Sequence, residues 1–131
     1  MSELPMTGEP GNAVRVWHER TGDGVIVRAA GEIDLLTVPQ LTEELAAAEK
    51  ELPATGPLVL DLTEVTFLAS VGLSVLVGCH ERCQRSGVEL RIVTGNRTIT
   101  RTIQITGLTD TLPVFATLAD ALVPTVPPPR N

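Results

Sequence analysis

The sequence has 131 residues, a formal net charge of −6, 43% hydrophobic residues and only 2% aromatic residues. This length predicts one domain with a core that folds without disulfides or metals. The scarcity of aromatic residues and of clustered Lys and Arg argues against direct nucleic-acid binding. No apolar run reaches the ~20 residues of a membrane-spanning helix, and the N-terminus lacks a signal-peptide core, so we expect a cytoplasmic protein.

The two ends of the chain differ in composition from the rest. Residues 1–12 contain two Pro and two Gly among mostly polar residues, which predicts a mobile N-terminal tail. Residues 124–131, PTVPPPRN, can form neither a helix nor a central strand, so we expect a disordered or polyproline-like tail there. The folded domain is therefore predicted to span residues 13–123.

The first half of this domain is predicted to begin with a hairpin. Residues 14–18 and 25–29 have strand-like patterns and flank a turn-rich stretch at 21–24. Thr37, followed three residues later by Gln40, predicts a capping box at the start of a helix. A buried strand at 58–62 is then expected to lead through a loop at 63–66 to Phe67 and Leu68, which would anchor that loop in the core.

The second half continues the alternation of helices and strands. Helices are predicted at 70–86 and 96–106, strands at 88–93 and 112–115, and a last helix capped by Thr117 with Leu122 on its inner face. The resulting order, β-β-α-β-α-β-α-β-α, predicts an α/β fold. Its sheet would be mixed but largely parallel, with an N-terminal hairpin and about four covering helices.

Ser70 lies where the third strand leads into the next helix, and it does not fit a catalytic pattern. A nucleophile elbow needs a glycine two residues before the serine, but Leu68 stands there. His80 lies ten residues along the same predicted helix, about 15 Å away, which is too far to act as a base. We therefore expect no catalytic residues and no enzyme activity. Read alone, Ser70 is a helix N-cap.

Cys79, His80 and Cys83 form the one cluster of candidate metal ligands in the sequence. A structural zinc site needs four ligands, and no fourth lies nearby. Cysteines four residues apart on a helix have Cβ atoms about 5–6 Å apart, whereas a disulfide needs about 3.8 Å. We therefore expect free thiols, no metal and no cofactor.

Residues 94–97 follow a predicted strand and open a helix. A single glycine, Gly95, is too weak a signal for a phosphate-binding loop, and a tight turn with Asn96 as helix cap is the favoured interpretation. The loop nevertheless lies at the carboxyl end of a parallel strand, where open α/β sheets bind ligands. A small-molecule or nucleotide sensor is therefore kept as an alternative.

Three segments together resemble the STAS family of anti-sigma factor antagonists. They are Gly31-Glu32-Ile33-Asp34, then residues 59–67 (VLDLTEVTF), and Ser70-x-Gly72-Leu73 at a helix start. The predicted order of elements also matches this family over residues 14–122. The resemblance implies a bacterial regulator that binds an anti-sigma factor with serine kinase activity and frees a sigma factor. In this family the kinase then phosphorylates a Ser or Thr at this helix start, which prevents binding, and a phosphatase resets the protein.

The resemblance places the phosphoacceptor at Ser70. The Asp that commonly precedes the acceptor in the family is replaced by Ala69, and the hydroxyl residue that follows it is replaced by Val71. By the same resemblance, the expected partner-binding residues are Asp34, Thr37, Thr66, Ala69, Ser70, Val71, Gly72, Leu73 and Asn96. For Asp34 a turn-capping role is an equal alternative.

A second function remains open at this point. A STAS scaffold subunit of a stressosome-like or transporter-associated complex would use the same surface without phosphorylation, and Ala69 and Val71 are compatible with it. The sequence also leaves a weak homodimer open.

Overall fold

The computed structural model describes residues 14–22, 24–52 and 56–123. The predicted tails at 1–12 and 124–131 lie outside the described residues. The described elements, in chain order, are β1 (Val14–Thr21), β2 (Gly24–Ile33), α1 (Val38–Glu51), β3 (Leu58–Leu68), α2 (Ser70–Ser86), β4 (Leu90–Val93), α3 (Arg97–Ile105), a 3₁₀ turn (Leu108–Asp110), β5 (Val114–Phe115) and α4 (Leu118–Ala121).

The described strands form one five-stranded sheet in the order β1-β2-β3-β4-β5. β1 and β2 pair antiparallel as a hairpin, and the pairs β2–β3, β3–β4 and β4–β5 are parallel. Each parallel pair is joined by a helical crossover, as expected for βαβ units. The predicted α/β fold, with its hairpin, largely parallel sheet and four helices, is confirmed.

The two faces of the sheet are covered unequally. Alternate strand residues, including Val27, Leu60 and Ile92, pack with the inner faces of α1, α2 and α3 in the main core. On the opposite face, α4 covers only a small cluster formed by Ile26, Val59, Val93 and Ala121. Near β1, no helix of the described residues covers this second face.

The first three strands are longer than the sequence pattern predicts, and β3 exceeds its prediction most. β3 continues through the predicted loop at 63–66, because its residues 64–68 pair with residues 30–33 of β2 across two register shifts. Such bulges interrupt the alternation of buried and exposed residues on which the prediction rested. Phe67 consequently lies on the surface and is 50% exposed, so the prediction that it is anchored in the core is wrong.

At the C-terminal end of the domain, the predicted inward orientation of Leu122 is wrong. Leu122 follows α4 and is exposed instead of facing inward. Gly87 ends α2 with a positive φ of 73°, as predicted for a helix C-terminus. Within the described residues, no helix combines the length and apolarity needed to cross a membrane.

His18 connects the hairpin to the first helix. Its Nδ1 atom lies 2.6 Å from a carboxylate oxygen of Glu44, and its Nε2 atom lies 3.1 Å from one of Glu51. The hydrogen bonds to Glu51 and Glu44 raise the pKa of His18 above its ordinary value. The protonated imidazole therefore stabilises the contact between β1 and α1.

We predict that His18→Gln destabilises the domain mainly in acid. A raised pKa in the folded state means that the stabilisation is fully present below the unfolded pKa of about 6.5 and is lost as pH rises through the folded value. Urea unfolding of both chains at several pH values measures this. The difference in free energy of unfolding should be larger below pH ~6 than above pH ~8. An equal difference at all pH values would contradict the role of the charge.

Candidate partner-binding surface

Ser70 is the first residue of α2. The residue before it, Ala69, is extended and offers no side chain to cap the helix, so Ser70 is not the N-cap that the sequence suggested. The Ser70 side chain is exposed, and its hydroxyl forms no hydrogen bond to any described residue. The hydroxyl thus lies at the positive end of the helix dipole, free of a structural role.

The start of α2 is held close to the end of β2. The amide of Ala69 donates a hydrogen bond of 2.9 Å to the carbonyl of Ile33. A Cβ atom on Gly72 would lie 2.8 Å from Ile33 Cγ2 and 2.6 Å from Leu68 Cδ1. A larger residue at position 72 would therefore collide with these core side chains. The close packing holds Ser70 beside the chain that follows β2.

That chain forms a tight turn around Asp34. The Asp34 carboxylate accepts hydrogen bonds from the amides of Leu36 (3.0 Å) and Thr37 (3.1 Å). The Thr37 hydroxyl accepts from the Asp34 amide and donates to the carbonyl of Glu32 at 2.7 Å. Thr37 is the N-cap residue of α1 but makes no side-chain capping bond, so the predicted capping box is wrong. Its hydroxyl is engaged by the Asp34 amide and the Glu32 carbonyl, and the Gln40 amide donates to the backbone carbonyl of Thr37 instead.

Three large apolar side chains are exposed on the chain segments that adjoin the start of α2. Leu35 is 75% exposed and Leu36 72% exposed on the Asp34 turn, and Phe67 is 50% exposed near the end of β3. We call Leu35, Leu36, Phe67 and Ser70 together the Ser70 surface. None of the three apolar members was predicted from the sequence as a partner-binding residue. A signal was present in Leu35-Leu36, an apolar pair between a strand and a helix that belongs to neither periodic pattern.

Asn96 lies at the start of α3, and its side chain forms hydrogen bonds that stabilise the fold. Its side-chain oxygen accepts from the Ile99 amide at 2.9 Å, and its Nδ2 donates to the carbonyls of Thr63 (2.9 Å) and Val65 (3.0 Å). These bonds cap α3 and tie it to β3. The predicted helix cap is confirmed, and its polar groups are occupied by the backbone.

The structure brings together only part of the predicted partner-binding set. Asp34, Thr66, Ala69 and Ser70 lie at or just after the carboxyl ends of the neighbouring strands β2 and β3. The others are less accessible: Thr37, Gly72 and Leu73 are buried, while Val71 and Asn96 are partly buried.

Cys79 and Cys83 lie farther along α2 and are buried free thiols, as predicted. The hydrogen bond to Cys83 and burial raise the pKa of Cys79, so this thiol stays protonated. Among the described residues no group of His, Cys, Asp and Glu is arranged to hold a metal ion.

The Gly95 loop borders an open groove of about 700 Å³, lined among others by Arg97, Thr100 and Arg101. Gly95 has a φ of +63°, and an added Cβ atom would overlap Thr63. Close packing against β3 therefore explains this glycine without a ligand.

The sequence matches a known domain family and two named relatives. Residues 16–121 match the family model described as the STAS domain. The chain is 33% identical over 111 residues to the anti-sigma-F factor antagonist RsfA of Mycobacterium tuberculosis, covering 85% of this chain and 87% of the relative. It is 37% identical over 97 residues to RsfB of the same organism, another anti-sigma-F factor antagonist, covering 74% and 77%.

A solved structure agrees with these relatives. The crystal structure of an anti-sigma factor antagonist from Mycobacterium paratuberculosis superimposes with a TM-score of 0.78 at 33% identity, covering 88% of this chain and 96% of that one. All three proteins are named as antagonists, which are regulatory binding proteins, and the expectation that this chain is not an enzyme agrees with them.

Proposed function

Because the chain belongs to the STAS domain family, we propose that it is an anti-sigma factor antagonist. It binds an anti-sigma factor with serine kinase activity and thereby releases a sigma factor in the bacterial cytoplasm. The names of its relatives support the class of partner. One structural observation carries the rest of the proposal: an exposed serine hydroxyl at a helix start, without a hydrogen bond to a described residue, with exposed apolar side chains on the adjoining chain segments.

The Ser70 surface has the composition of a docking site. Leu35 and Leu36 project from a turn that Asp34 holds rigid, so little conformational entropy is lost when they bind. Adjacent exposed apolar side chains are typical of protein–protein interaction sites. Asp34 contributes by holding this turn, which supports the turn-capping alternative for its role. Thr66 and Ala69 lie next to the Ser70 surface in the sequence and are proposed to contact the same partner.

Phosphorylation of Ser70 is the proposed switch. The kinase transfers the terminal phosphoryl group of ATP to the Ser70 oxygen and leaves ADP, and a phosphatase later hydrolyses the phosphoester. The phosphate carries about −1.5 to −2 charges at neutral pH. A helix N-terminus tolerates this charge, so the domain stays folded, but a docked partner would have to bury it among apolar groups.

We predict that Leu36→Asp weakens binding to the anti-sigma factor about 30-fold, because loss of a central apolar contact costs about 2 kcal/mol. Leu36 is exposed and its side chain supports no core contact, so the free energy of unfolding should change little. Calorimetric titration measures the affinity. Val123→Asp is the matched control, since Val123 is 60% exposed and lies outside the Ser70 surface.

Release of the sigma factor tests the proposal directly. The chain is titrated into a labelled complex of sigma factor and anti-sigma kinase, and fluorescence anisotropy reports free sigma factor. Release by the unmodified chain and none by its Ser70→Asp variant is the expected pair of results. No release at any concentration of unmodified chain would refute the antagonist function. A stable complex with another protein that Ser70→Asp leaves unchanged would instead favour the scaffold subunit.

A further inference from the structure

The first strand of the sheet has an outer edge with which no described strand pairs. β1 stands at the end of the strand order and is eight residues long. An edge strand of this length presents a row of unpaired N–H and C=O groups, to which another strand can add. The opposite edge differs, because β5 has only two residues.

The exposed side chains of β1 have opposite charges on either side of an aromatic residue. Arg15, Trp17 and Glu19 alternate with Val14 and Val16, which pack against the main core, so these three side chains lie on the opposite face. Trp17 is 38% exposed. No described helix lies over this part of the sheet, since α4 packs on the cluster nearer β4.

We propose that β1 pairs antiparallel with β1 of a second copy of this chain, around a twofold axis at Trp17. Trp17 then faces the partner's Trp17, and Arg15 faces the partner's Glu19. By symmetry Glu19 faces the partner's Arg15, which gives two ion pairs flanking one aromatic pair. Opposite charges and aromatic residues placed directly across antiparallel strands stabilise the pairing.

Both charged groups are available for this pairing. The Arg15 guanidinium lies over the Trp17 ring, 5.5 Å from its centre, and forms no ion pair with a described residue. Glu19 is exposed and accepts one bond of 3.0 Å from Arg28, so its carboxylate retains capacity for a second partner.

The charge pattern also selects the register. A twofold pairing that keeps the same faces together could be centred instead on Val16 or on His18. Centring on Val16 places Arg15 opposite the partner's Trp17, and centring on His18 places it opposite the partner's Thr21. Neither arrangement pairs Arg15 with a carboxylate. Charges on an edge strand normally prevent unspecific pairing, so this edge favours a partner with the complementary pattern.

Exchange of the charges tests the pairing. Sedimentation velocity over a wide concentration range should show a weak monomer–dimer equilibrium of the full chain. Arg15→Glu or Glu19→Arg should each weaken self-association about tenfold, because both ion pairs become like-charge pairs. An equimolar mixture of the two variants should form a heterodimer, and the double variant Arg15→Glu/Glu19→Arg should dimerise as the original chain does. Arg101→Glu, an exposed change of equal charge on α3, should have no effect.

Fluorescence gives a second readout, because Trp17 is the only tryptophan of the sequence. Its emission should shift to shorter wavelength as concentration rises in the original chain, and not in the two single variants. A chain that stays monomeric at millimolar concentration would overturn the proposal, as would a mixture of the variants that fails to associate. A dimer that survives Arg15→Glu but is lost in Leu36→Asp would assign self-association to the Ser70 surface and also overturn it.

Discussion

Ser70→Asp is expected to lower the affinity for the anti-sigma factor about 100-fold or more while leaving the domain folded. An uncompensated charge buried at an interface costs several kcal/mol, and each 1.4 kcal/mol changes affinity tenfold. Within the isolated domain the same charge lies exposed at the start of α2, where it gains about 0.3–1 kcal/mol from the helix dipole. Binding and stability should therefore respond in different directions.

A matched control separates this effect from a change in net charge. Gln84→Glu adds one negative charge to an exposed position on the same helix, about 20 Å from Ser70. It should leave the affinity within a factor of about two, since a surface substitution far from the interface changes the free energy by no more than about 0.5 kcal/mol. Calorimetry gives the affinities and urea unfolding gives the stabilities. Equal affinity of the Ser70→Asp variant and the original chain would remove Ser70 from the interface.

Gly95→Ala is expected to destabilise the domain by about 2–5 kcal/mol. A left-handed backbone conformation costs about 1–2 kcal/mol for a residue with a Cβ atom, and Gly95 has a φ of +63°. The new methyl group would also lie 2.7 Å from Cβ of Thr63, a residue inside β3. Overpacking of this kind costs a further 1–3 kcal/mol.

Gly107→Ala measures the conformational part of this loss alone, so the difference between the two variants gives the steric part. Gly107 has a similar φ of +77°, but nothing lies within 4 Å of the position its Cβ would take. It should therefore cost only about 1–2 kcal/mol, the conformational part. Chemical denaturation of both variants measures the difference. Equal losses in the two variants would show that Thr63 tolerates the methyl group and that packing does not explain Gly95.

The element order could be predicted from the sequence because it depends on periodicity. Buried β3 residues such as Leu58 and Leu60 and the helical pattern after Ser70 identify their elements without knowledge of contacts. The course of β3 beyond Leu62 could not be predicted in the same way. Its pairing with β2 continues through two register shifts, and a bulge leaves no regular alternation in the sequence.

The candidate site was predicted less completely than the fold. The pattern alone places Ser70 at a strand-to-helix junction, and its role as phosphoacceptor rests on the family resemblance, whereas the Asp34 turn depends on a competition between hydrogen bonds. The side chains of Thr37 and Asp34 could each accept a hydrogen bond from a backbone amide near the start of α1. Only the geometry shows that the Asp34 carboxylate accepts from the amides of Leu36 and Thr37. Exposure of Phe67 follows from the unpredicted length of β3, so its place on the Ser70 surface could not be inferred.

The most direct measurement is mass spectrometry of the chain after incubation with its anti-sigma kinase and ATP. We predict one phosphoryl group, located on Ser70, and none on the Ser70→Ala variant. Ser74, an exposed serine one turn farther along α2, should remain unmodified in both. An unmodified Ser70 under conditions in which the kinase phosphorylates a control antagonist would contradict the proposed switch, as would equal labelling of the Ser70→Ala variant.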